Sequence, residues 1–150
     1  MLRFATILGA AIIALGSITA HAADLVRVSS AHSVADTADR LAAAVDGAGA
    51  KLFARIDHAA GAESVGMELA PSITLIFGNP KLGTPAMQAS ATMGLDLPLR
   101  VLVTEMDGET FLVYHAPADV AALHGVPSDH PVVGKMTGAL GKLTAKAAAE

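Results

Sequence analysis

From Val34 to Ala48 apolar residues return every three or four positions. Val34, Ala38, Leu41, Val45 and Ala48 make one stripe, and Asp36, Asp39, Arg40 and Asp46 lie off it. That spacing predicts an amphipathic helix. Ser33 is its N-cap, with an acid three residues on, and Gly47 and Gly49 end it. Leu25 to Ser29, just before, reads as a short strand. At Lys51 the period changes to two. Leu52, Ala54 and Ile56 point one way and Phe53, Arg55 and Asp57 the other, which predicts a strand with one apolar and one mixed face. Ala59 to Val65 predicts a short helix stopped by Gly66. Ile73 to Phe77 is apolar on both faces, as an interior strand is, and Gly78-Asn79-Pro80 stops it.

In the second half, Thr84-Pro85 predicts a helix start, with Thr84 as N-cap and Pro85 at the first helical position. This helix should run to about Met93 and end at Gly94. Leu99 to Glu105 and Thr110 to Tyr114 are strands around Asp107-Gly108. Such a pair between apolar strands signals a hairpin, because both turn residues need positive φ. Pro117 starts a short helix through His124. The last helix spans about 132–148, with Val133, Met136, Leu140 and Leu143 as its stripe. Gly134, Gly138 and Gly141 each weaken it by up to ~1 kcal/mol relative to Ala. Its stability must come from packing, or from small residues that let another backbone approach. The element order predicts an α+β fold: a single domain, with a partly antiparallel sheet and helices mainly on one face.

Ahead of these elements, Arg3 precedes an uncharged run from Phe4 to Ile18, and Ala20-His21-Ala22 fits the small-x-small cleavage rule. Residues 1–22 therefore read as a secretory signal peptide, with a mature domain over 23–150. The run is shorter than the ~20 apolar residues that span a bilayer. The expected product is secreted or periplasmic and off the membrane after cleavage.

Composition narrows the function classes. The chain has 150 residues, no Cys, and 10 Lys plus Arg against 14 Asp plus Glu, for a net charge of −4. Without Cys there is no disulfide framework, Cys-ligated zinc or thiol nucleophile. The acidic balance argues against a nucleic-acid binder. An apolar fraction of 53 % is too high for a disordered chain.

Four segments carry a resemblance: Phe53-Ala54-Arg55-Ile56-Asp57-His58, the run Leu75 to Met87 with its Phe-Gly-Asn-Pro-Lys, Leu95-Asp96-Leu97-Pro98-Leu99-Arg100, and Tyr114-His115-Ala116-Pro117. Through them the chain resembles the bacterial domain of unknown function 302 family over about 34–124. The resemblance implies a small α+β fold, grouped with TATA-box-binding-protein-like folds, and a homodimer. The glycines of the last helix also suit close packing of two copies. The resemblance assigns no activity, cofactor or catalytic residue, and the fold grouping does not imply DNA binding.

Candidate chemistry sits in four places. The loop from Gly78 to Thr84 leaves a strand and enters a helix N-terminus, where backbone N–H groups and the helix dipole favour an anion. Asn79, Lys81 and Thr84 would be its side-chain ligands, although turn and cap chemistry explains Asn79 and Thr84 without one. Gly83-Thr84 lacks the intervening Lys of a phosphate-binding loop, so nucleotide hydrolysis is not supported. Asp57-His58 offers an acid–base pair; alternatively the two serve a helix start and an ion pair. His58, Met87, His115 and His124 are candidate copper ligands by type, with no pair at i, i+4 spacing. Tyr114, the only Tyr, could donate to a ligand or cover the sheet. The leading reading is a non-catalytic binding or accessory module for a small anion or polar metabolite, with no cofactor. The alternatives are a small hydrolase or isomerase-like enzyme using Asp57 and His58, and a periplasmic copper-binding protein.

Overall fold

A computed structural model describes residues 25–150; the predicted signal segment lies outside them. The order is β1 (Leu25–Ser30), α1 (Val34–Gly47), β2 (Lys51–Asp57), α2 (His58–Glu63), β3 (Ser72–Gly78), α3 (Pro80–Ala89), a 3-10 turn (Ala91–Leu95), β4 (Leu99–Met106), β5 (Glu109–His115), α4 (Pro117–Leu123) and α5 (Pro131–Ala148). The strands form one sheet in the order β1-β5-β4-β3-β2, and every pairing is antiparallel. The fold is a single α+β domain.

Local chemistry sets most of these elements. Ser33 caps α1 by accepting from the Asp36 N–H, and its hydroxyl donates to the Asp36 carboxylate. Asp107 and Gly108 both hold positive φ in the β4–β5 turn, as a tight hairpin requires. The apolar stripes of α1 and α5 pack on one face of the sheet. Leu41, Val45, Leu140 and Leu143 meet Leu75, Phe77, Val101, Val103, Leu112 and Tyr114 there. A second cluster, with Ala86, Met93, Ala121, Val126, Val133 and Met136, joins α3, the 3-10 turn and α4 to α5. The α5 glycines lie on the solvent side. A Cβ at Gly134, Gly138 or Gly141 would have no neighbour within 4 Å, so none makes a close approach inside the domain.

Three expectations are corrected. β2 does not alternate cleanly, because its register slips between Leu52 and Ala54 and leaves Phe53 as a bulge. Leu52 then pairs with Phe77 on the helix-covered side, whereas Ala54 and Ile56 pair with Ile76 and Thr74 on the other. α2 begins at His58, one residue early, because Asp57 caps it. The helix expected from Pro85 to Met93 instead starts at Pro80, one turn earlier, with Asn79 as its N-cap; Thr84 and Pro85 lie inside it. It stops at Ala89, and Met93 and Gly94 belong to the separate 3-10 turn.

The sheet face opposite α1 and α5 carries Ile56, Ile76, Leu102, Phe111 and Val113 from four neighbouring strands. α2 reaches it through a hydrogen bond between His58 Nε2 and Thr74 Oγ1 at 2.8 Å.

Candidate functional site

Asn79 organises one end of the sheet. Its side-chain carbonyl accepts from the Lys81 N–H at 2.9 Å, and its amide donates to the Gly49 carbonyl at 2.9 Å. Its own carbonyl accepts from the Leu82 and Gly83 N–H groups. Pro80 has no N–H. The first turn of α3 therefore spends its donors on Asn79, and the expected anion cradle of free backbone N–H groups is not formed. Thr84 is exposed and lies inside α3 rather than at its cap.

What that turn builds instead is a pocket of about 220 Å³. Gly78, Asn79 and Pro80 form one side of it. Leu82, Gly83, Thr84 and Met87 come from α3, Leu97, Pro98 and Leu99 from the approach to β4, Met136 from α5, and Phe53 from β2. The β-bulge brings the Phe53 ring here, since a bulge re-aims a side chain that regular alternation would send elsewhere. Gly78 leaves just enough room: a Cβ there would meet Pro98 Cβ at 3.4 Å and Phe53 Cε2 at 3.6 Å. The walls are apolar, with Asn79 and Thr84 as the polar exceptions. All the lining residues except Met136 fall within the four segments singled out in the sequence.

Lys81 does not line this pocket. It borders a second hollow of about 320 Å³ on the other side of the Asn79–Leu82 turn, where Lys142 of α5 joins it. The two hollows share Gly78, Asn79, Leu82 and Leu99. Neither lysine takes part in an ion pair among the described residues.

The other candidates disperse. Asp57 accepts from the Ala60 N–H as a helix cap, while His58 turns to Thr74, so the two are committed to different partners. Arg55 pairs with Asp39, and Arg100 with Asp96 at 2.8 Å, so neither serves Asp57. Tyr114 is 8 % exposed and packs in the main core, away from Asn79. Among the described residues no three His, Asp or Glu side chains are grouped to hold a metal. Met87 faces the apolar pocket, and His115 borders a small hollow with Asp96 and Arg100.

One cluster escaped the sequence altogether. The His124 side chain, at the end of α4, is 8 % exposed. Its Nδ1 meets Thr92 Oγ1 at 3.0 Å and its Nε2 meets Asp96 Oδ2 at 2.8 Å. These partners are 32 and 28 residues away, and no local spacing points to them.

A family model described as "Domain of unknown function DUF302" matches residues 26–145. The chain belongs to the DUF302 family. A crystal structure of an uncharacterised conserved DUF302 protein from Bacillus stearothermophilus superposes with a TM-score of 0.75, over 82 % of this chain and 97 % of that one, at 15 % identity. That likeness supports the fold of the DUF302 domain and nothing finer. The domain is also 44 % identical over 117 residues to "Fluoride-specific ion channel FluC 1" of Brucella suis biovar 1, and equally to its namesake in Brucella abortus biovar 1. These matches cover 76 % of this chain but only 46 % and 43 % of those proteins. The chain thus spans under half the length of the curated relatives it matches.

Proposed function

We propose that this DUF302 domain is an exported binding module for a small amphipathic anion. The observation that carries the reading is the apolar pocket, built almost entirely from the segments that mark the family. An engineered apolar cavity of about 150 Å³ holds benzene, so this one suits a chain of about six to eight carbons. Gly78, Asn79, Leu82 and Leu99 line both hollows, and in this reading the ligand's apolar part fills the first while its charged end passes this shared wall toward Lys81 and Lys142. The lysines, rather than the helix N-terminus, are then the anion's partners.

Hexanoate and hexanol separate the two parts of this reading. In calorimetric titration at low salt both should bind, hexanoate more tightly, and its advantage should shrink as salt rises. Lys81→Ala should remove that advantage and leave hexanol binding unchanged. Gly83→Leu fills the pocket and should abolish binding of both. Leu is the better helix former by about 1 kcal/mol, so lost binding without lost stability isolates the pocket. Failure of both probes to bind the unaltered protein overturns the reading.

The relatives named as fluoride channels bear on the role. No described helix is long and apolar enough to cross a membrane. The shared part covers under half of those proteins, and we read it as an accessory domain joined to the remainder. Fluoride itself is not carried over, since the pocket walls are apolar.

The same reading includes a homodimer. The sheet face opposite α1 and α5, with Ile76, Leu102 and Phe111 on three adjacent strands, is the apolar surface a second copy would cover. Sedimentation at micromolar concentration should show a dimer, and Ile76→Lys combined with Leu102→Lys should give a folded monomer. A monomer in the unaltered protein at all concentrations overturns this part.

A further inference from the structure

The hydrogen-bonded series Thr92–His124–Asp96–Arg100 is used by nothing described so far. Asp96 carries an acceptor on each oxygen: Oδ2 lies 2.8 Å from His124 Nε2, and Oδ1 accepts from Arg100 Nη2 at 2.8 Å. Arg100 thereby fixes the plane of the carboxylate. A carboxylate can only accept, so the neutral imidazole must carry its proton on Nε2. Nδ1 is then left as the acceptor, and it faces the Thr92 hydroxyl at 3.0 Å. A hydroxyl in reach of a base, with the base oriented by a third group, is the arrangement that activates a nucleophile.

Burial separates the members as that role demands. The His124 side chain is mostly buried, with 8 % of it left exposed, while Thr92 lies exposed on the 3-10 turn. The Thr92 hydroxyl also meets Ser90 Oγ at 3.0 Å. Leu95 and Leu123, chain neighbours of Asp96 and His124, are 79 % and 74 % exposed. They give an apolar substrate group something to lie against.

We propose that Thr92 is an activated nucleophile that takes an acyl group from small carboxylic esters, with His124 as its general base. The Thr92 oxygen bonds to the ester carbonyl carbon as its proton passes to His124 Nδ1. The carbon–oxygen bond to the alcohol then breaks, and the alcohol leaves with that proton. Water, deprotonated by His124 in turn, releases the carboxylic acid and restores the Thr92 hydroxyl. Asp96 and Arg100 are positioning residues. The site shares no side chain with the apolar pocket and stands or falls separately from it.

The test is incubation of the purified protein with p-nitrophenyl butyrate. Nitrophenolate release is followed, and peptide mass spectrometry is run after an acid quench. A butyryl adduct should form on Thr92. Thr92→Ser should keep an adduct at that position and Thr92→Ala should lose it. His124→Gln should slow acylation at least about tenfold. Asp96→Asn should displace the acid limb of the pH–rate profile, which a merely structural partner would leave in place. An adduct confined to Ser90 or to lysines, no adduct at all, or a Thr92→Ala protein that reacts like the unaltered one overturns the proposal. The two threonine variants keep the test decisive if His124→Gln fails to fold.

Discussion

Phe77→Ala will remove about 3–5 kcal/mol of folding stability. Phe77 is 1 % exposed on the interior strand β3, paired to Leu52 on one side and Leu99 on the other. Its ring fills the space between the sheet and the α1–α5 pair, and truncation leaves a cavity that rigid neighbours on three sides can close only partly. Domains of this size hold about 5–15 kcal/mol in total, so the variant should sit near the edge of folding. Urea denaturation of the two proteins side by side measures the loss. Phe53→Ala is the internal control. Its ring is 51 % exposed at the bulge, so it should cost far less stability while enlarging the pocket mouth. A loss under about 1 kcal/mol for Phe77→Ala would contradict the packing described.

Asn79→Ala has the next largest expected effect, about 1–2 kcal/mol. It deletes the cap on the Lys81 N–H and the donor to the Gly49 carbonyl together. Asn79→Asp keeps an acceptor for Lys81 and suits the positive end of a helix, but loses the donor to Gly49. It should recover part of the loss. Lys81→Ala should change stability by less than about 0.5 kcal/mol, because its side chain is exposed. Chemical denaturation of the three variants checks the order. If Asn79→Ala proves as neutral as Lys81→Ala, Asn79 is not what holds the turn.

Elements whose signals are local are legible in the sequence alone. The Ser33 cap, the Asp107-Gly108 hairpin and the stripe of Val133, Met136, Leu140 and Leu143 each depend on residues a few positions apart, and each is found in place. Two helix starts competed at Asn79-Pro80 and Thr84-Pro85, which are alike in sequence. Asn79 prevailed because its amide also reaches Gly49, a partner from the far end of α1 that no local pattern reveals. Pro85 is tolerated inside the helix at the loss of one hydrogen bond, the one its N–H would have made to the Lys81 carbonyl. The bulge at Phe53 was hidden because alternation in β2 looks regular until β3 sets its register. His124 was hidden more completely. Its burial is made by the approach of the 3-10 turn to the end of α4, so the residue types were visible and their meeting was not.

The bulge in β2 has a bearing on how copies of this chain can assemble. β2 is an edge of the sheet, and its outer N–H and C=O groups are a template on which a further strand could add. One extra residue in mid-strand throws those groups out of step, and Lys51 and Arg55 add charge along the same margin. Two copies laid β2 to β2 could not fuse into one continuous sheet without leaving backbone groups unmatched at Phe53. The feature that turns an aromatic ring toward the pocket therefore also guards against edge-to-edge growth into fibrous aggregates.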